Sequence, residues 1–182
     1  MKKAYIKNNQ LGMTFIEVLV ALFILVTGVL GAVAMQATVK KGSFDAMQRS
    51  LASALAQDIV ERMRSNDPTT LAGYMKTNYG VALDSVPAKR CNSVGNVCTP
   101  AEMVINDTYE WEAALMGANV TQGTANTGGL VGGKACISNT LNAITVVVSW
   151  QGRVGISDSK KANACGTAGN KRRQVVVEAF IN

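Results

Sequence analysis

Two sets of residues in this 182-residue chain have types and spacings that could do chemistry. The first is Gly12-Met13 followed by Glu17, the single charge in a run from Met13 to Met35 that contains no Pro, Lys or Arg. A carboxylate in such a run costs about 2.5–3.5 kcal/mol on membrane-insertion scales, so it needs a partner. The second set is Cys91, Cys98, Cys136 and Cys165. None has a CxxC spacing and the chain has no His, which argues against a zinc site. An even count favours two disulfides in an oxidising compartment. Three connectivities are open, and local closure favours Cys91–Cys98, around a Gly-Asn turn in CNSVGNVC, with Cys136–Cys165 stapling a long late segment.

Other chemistry is thinly represented. There is no GxSxG, P-loop or paired-carboxylate motif, so an enzyme is not expected, and neither is a cofactor or metal. Glu102, Asp107, Glu110 and Glu112 read as the solvated face of a helix start. Asp84 and Asp158 lack the ligand spacing of a calcium loop. Lys160, Lys161, Lys171, Arg172 and Arg173 flank Cys165, but no aromatic residues interleave with them to stack bases. They read as a solvated loop or a contact for an acidic partner. The net charge of +6 falls to +3 once Lys2, Lys3 and Lys7 are set aside, too weak to argue nucleic-acid binding.

The elements that position these residues follow from periodicity. GMTFIEVLVALFILVTGVLGAVAM, Gly12 to Met35, exceeds the roughly 20 apolar residues needed to cross a bilayer as a helix. The basic stretch MKKAYIKNNQL before it places the N-terminus in the cytoplasm by the positive-inside rule, and all that follows Met35 across the membrane. An ordinary secretory signal is cut after its apolar region; here the candidate cut precedes it, so the anchor stays. Beyond Met35, Phe44, Met47, Leu51, Leu55, Ile59 and Met63 recur at spacings of three and four, an amphipathic helix. Asn66-Asp67-Pro68 ends it. Met13 to about Ser65 is therefore one helix of roughly 80 Å, weakened at Gly28, Gly31 and Gly42.

Leu71 to Met75 reads as a short helical turn, and the stretch to Val97 as loop. Thr99-Pro100-Ala101-Glu102 has the form of a capping box with Pro at the first helical position. The helix it opens has Met103, Val104, Trp111 and Leu115 on its apolar face and stops at Gly117. Asn119 to Gly133 is a Gly, Thr and Asn-rich connection with a strand near Leu130 and Val131. ITVVVSW (Ile144 to Trp150) and QVVVEAFI (Gln174 to Ile181) are strands, with a third through Ala135, Cys136 and Ile137. They predict an α+β fold, a small antiparallel sheet packed on the amphipathic half of the long helix.

A basic leader ending in Gly, an acid five residues after it and an unbroken apolar helix closely resemble a type IV prepilin. That resemblance implies a pilin-like fold, with a leader peptide 1–12, a transmembrane and filament-core helix 13–35 and a periplasmic head 36–182. It implies cleavage by a prepilin peptidase between Gly12 and Met13, N-methylation of Met13, and a role in assembly for Glu17. Its carboxylate would pair with the Met13 amine of a neighbouring subunit, or with its own N-terminus. Many major pilins carry a proline in the membrane helix; this chain has none there. ALFILVTGVLGAVAMQ and LASALAQDIVERMRSNDP further resemble minor pilins of the type IV pilus modification protein PilV family, in Glu17 to Leu22, Gly28 to Gly31, Met35-Gln36 and Leu55 to Arg64. This implies a minor pilin of the inner membrane that primes pilus assembly with other minor pilins and the major pilin. Its place would be at the tip with a large adhesin, in a surface fibre for adhesion or twitching motility. A minor pseudopilin of a type II secretion system shares the N-terminal features, and a DNA-binding competence pilin is the remaining alternative.

Overall fold

The computed structural model describes residues 12–140, 143–155 and 165–181. Helix α1 (Phe15–Ser65) is followed by a 3-10 helix (Pro68–Tyr74), strand β1 (Lys76–Tyr79) and helix α2 (Pro100–Met116). The strands β2 (Thr121–Gln122), β3 (Ala125–Asn126), β4 (Lys134–Thr140), β5 (Ala143–Gln151) and β6 (Arg172–Phe180) complete it. The chain divides between Lys40 and Lys41 into two compact units.

The first unit is the apolar half of α1, and its described residues are exposed throughout. Its hydrophobic side chains therefore touch no core, which is the composition of a segment meant for lipid or for other helices. Thr27 satisfies its hydroxyl on Phe23 O and Ile24 O, at 3.0 and 2.9 Å, and so carries no unmet polar group.

The second unit is a four-stranded antiparallel sheet in the order β1-β4-β5-β6, with α1 and α2 packed on it. Period-two alternation selects the buried face: Ile144, Val146, Val148 and Trp150 of β5 join Ala135, Ile137 and Ala179 in the core. They meet Ala52, Leu55, Ala56, Ile59, Val60 and Met63 of α1 and Val104, Trp111 and Leu115 of α2. Small alanines on α1 allow the helix close to the sheet.

Three sequence expectations are adjusted here. The buried stripe of α1 runs through Gln48 rather than Met47, which is 57% exposed. Gln48 Oε1 accepts the Val131 N–H at 2.9 Å, so a polar residue occupies a core position because a loop amide needs it. Leu130 and Val131 form no strand; Leu130 instead donates its N–H to Leu115 O and closes the turn after α2. Strand β1, polar and four residues long, lies where loop was expected.

Helix α2 starts and stops where its sequence says. Thr99 caps it in a full capping box with Glu102, Pro100 opens it, and Gly117 ends it at φ 71°. A side chain at Gly117 would strike the backbone of Gly129, so only Gly fits.

Candidate functional site

Gly12, Met13 and Thr14 precede the first helical residue and are exposed, Met13 at 73%. An exposed stretch ahead of a helix is open to a protease, whose site needs an extended backbone. Glu17 lies in the first turn of α1. Its Oε2 accepts the Thr14 N–H at 3.4 Å, a carboxylate over the free amides of a helix start, where the dipole favours it. Glu17 is thereby held one turn from Met13. Lys2, Lys3 and Lys7 of the leader lie outside the described residues.

The four cysteines are joined as Cys91–Cys98, with Cα atoms 5.8 Å apart, and Cys136–Cys165, at 5.7 Å. The first closes a small exposed loop; the second ties β4 to the segment before β6. Cys165 is buried on the sheet face opposite the helices, where its carbonyl accepts the Ser149 hydroxyl at 2.9 Å. Ser149 Oγ in turn accepts from Arg172 Nη2 at 2.7 Å. Arg172 also donates to Gly132 O at 2.9 Å, and burial lowers its pKa. One member of the expected basic cluster is thus an internal strut. Lys160, Lys161 and Asp158 lie outside the described residues.

Of the four acidic residues of α2, Glu102 stays at the exposed helix start, but Asp107, Glu110 and Glu112 are not a solvated face. Glu112 is completely buried; Oε1 accepts the Gly80 N–H at 2.6 Å and Oε2 faces Lys76 Nζ at 3.3 Å. Asp107, 7% exposed, accepts from Arg62 at 2.9 Å and from the Tyr74 hydroxyl at 2.8 Å. Glu110 accepts from Arg90 at 2.8 Å and from Arg62 at 3.4 Å. Burial pushes the Glu110 carboxyl up, but the bonds from Arg90, Asn106 and Arg62 outweigh it and hold it below the usual range. Desolvation works against the Arg62 charge as well, yet Asp58 and Asp107 raise its pKa. Arg62 pairs with its i,i+4 neighbour Asp58 at 3.0 Å, as a helical period allows. Its reach across to α2 is hidden from the sequence, because nothing in a helical period reveals a partner that distant along the chain.

Arg62 therefore joins α1 to α2, and Arg90, beside Cys91, joins the disulfide loop to the same cluster. Trp111 Nε1 adds a buried bond to Leu55 O at 2.8 Å. This network orients the head on its own half of α1. Among the described residues there is no cluster of three or more His, Cys, Asp or Glu arranged to hold a metal.

Residues 7–33 match the family model for the prokaryotic N-terminal methylation motif, and residues 34–109 match the Tt1218-like model, described as Type IV pilin Tt1218. No curated protein and no solved structure matches the chain. The motif match spans Gly12, Met13 and Glu17, and the pilin match spans the amphipathic half of α1, both partners of the small disulfide, and Glu102 and Asp107 of α2, ending just before Glu110 and Glu112.

Proposed function

As a type IV pilin carrying the prepilin methylation motif, this chain is, we propose, a minor subunit that primes pilus assembly. Pilins are structural proteins, processed by a prepilin peptidase and assembled with other pilins. The finer reading adds a minor-pilin complex in the inner membrane, with other minor pilins, the major pilin and a large tip adhesin as partners. It is carried by one observation: the Leu55–Arg64 segment that resembles the PilV family holds Asp58 and Arg62, and Arg62 anchors α2 through Asp107. Residues 1–12 would leave as leader, 13–35 would anchor the chain and form the filament core, and 36–182 would be the periplasmic head. The N-terminus would lie in the cytoplasm, and after assembly the subunit would reach the cell surface.

The exposed Gly12-Met13 bond supports cleavage there, with N-methylation of the new Met13 amine. Replacing Gly12 by Val should leave the leader attached, because a branched side chain enters a pocket that otherwise meets a hydrogen. The intact mass of membrane-purified protein checks this; a species beginning at Met13 would contradict it.

Glu17 is the proposed assembly residue. In a low-dielectric core its carboxylate would register one helix against the Met13 amine of the next, the attraction being partly offset by desolvation. Glu17→Ala should insert and be cleaved, since removing a charge eases insertion, yet co-purify poorly with partner pilins. Glu17→Asp should do partial harm. Recovery of Glu17→Ala equal to wild type would reduce Glu17 to a processing or local capping residue. Loss of secretion with intact surface fibres, on deletion of the chain, would favour the pseudopilin alternative.

A further inference from the structure

Lys41, Asp45 and Arg49 fall on one row of α1 at i,i+4 spacing, beginning six residues past Met35, where the apolar run ends. Within the same second unit, the end of β5 and the start of β6 lie beside this row. The Arg153 guanidinium lies 4.1 Å from the centre of the Phe44 ring, and its backbone N–H donates to Asp45 Oδ1 at 3.0 Å. Gly152 N donates to Lys171 O at 2.8 Å, and Arg173 Nη2 to Val154 O at 2.7 Å. Among the described residues, five basic residues thus lie on segments that meet at Asp45, whose carboxylate already accepts from the backbone. Lys41, Arg49, Arg153 and Lys171 are exposed, and Arg173 is half-buried.

We propose that Lys41, Arg49, Arg153, Lys171 and Arg173 form a docking surface for anionic phospholipid headgroups of the membrane that holds the apolar half of α1. The inference rests on the membrane-anchored reading above. Along the chain, a headgroup layer is what must follow a hydrocarbon-spanning helix, and the cluster occupies the place where the chain enters the head. Lipid binding asks only for positive charge near the surface, each Lys or Arg contributing about a fivefold gain in residence. Single-stranded nucleic acid asks in addition for aromatic platforms. Phe44, the aromatic ring at this cluster, lies beneath Arg153. The surface would retain the subunit against the bilayer until assembly draws it out.

The test uses the full chain in nanodiscs of phosphatidylcholine alone or mixed with phosphatidylglycerol. Lysine acylation rates are read by mass spectrometry at Lys41 and Lys171, with Lys89, which pairs with Glu102 on α2, as the reference. Lys41 and Lys171 should react roughly threefold or more slowly with anionic lipid, Lys89 equally in both, and high salt should abolish the difference. The double variant Arg49→Glu, Lys171→Glu should restore the Lys41 rate. Equal rates in the two lipids would overturn the surface while leaving the anchor intact. Equal protection by duplex DNA added to phosphatidylcholine discs would overturn it in favour of nucleic acid. Failure of the chain to float with vesicles of either lipid would remove the anchored reading itself.

Discussion

The two halves of α1 are made from one continuous helix but answer to different surroundings. From Phe15 to Lys40 no described side chain is buried, and Glu17, Thr27 and Thr38 make their hydrogen bonds within the helix or at its start. From Lys41 to Ser65 seven residues are buried, among them Ala52, Ile59 and Met63 at 0% exposure, and charged side chains reach outward to fixed partners. The comparison shows that helical order has separate sources in the two halves. In the head, tertiary packing and the Arg62 cluster stabilise it. In the other half only local propensity and whatever surrounds it can do so.

The largest contrast should come from truncating one large side chain in each half. Trp111→Ala removes the centre of the core under α1 and the added hydrogen bond to Leu55 O, and should cost the head about 3–5 kcal/mol. Leu25→Ala, in the apolar half, should move the same unfolding transition by less than about 0.5 kcal/mol. Denaturant titration of both variants in detergent, read by Trp fluorescence for the second and by circular dichroism for both, measures this. A large shift from Leu25→Ala would break the separation.

The disulfides sharpen the contrast inside the head. Replacing Cys136 and Cys165 together should cost about 2–4 kcal/mol, whereas replacing Cys91 and Cys98 should cost less because the loop is shorter. Thermal melts of the two pairs, oxidised and unreduced, give the ranking; a larger cost for the small loop would show that Arg90 depends on it for position.

The smallest of these effects concerns pH. Glu110 has a depressed folded pKa, so its contribution is present above the usual glutamate range near 4.5 and is lost as pH falls through the lowered folded value. Burial raises the pKa of Tyr74 and of Tyr79, so their neutral forms contribute stability below about pH 10, lost as pH rises beyond it. Melts across pH should show a plateau with both flanks falling. Glu110→Gln should make the acid flank shallower and leave the alkaline one unchanged. The apolar half, with no such pairs among its described residues, should contribute to neither flank.

Much of the fold was legible because its signals are local. The apolar run, the Thr99–Glu102 box, Gly117 and the β-branched strands each announce themselves within a few residues. The N-terminal motif was legible for the same reason. The acids of α2 were not: Glu112, Asp107 and Glu110 look like surface in sequence, since their partners Lys76, Gly80, Tyr74, Arg62 and Arg90 lie far along the chain. Strand β1 was missed because KTNY lacks the apolar alternation that marks a strand, and it pairs through β4 instead. Gln48 shows the same limit, a polar residue inside because Val131 supplies a donor.

The Cys136–Cys165 bond has a mechanical consequence. It encloses the whole of β5 in a loop of sequence separation 29. If the chain is pulled from its ends and the head gives way, that loop is withheld from the extending thread. The released contour is then shorter by roughly 100 Å at 3.3–3.6 Å per residue. An oxidised head should therefore yield by a shorter step under force than a reduced one, and a fibre subunit that gives way would lengthen less before its covalent stop is reached.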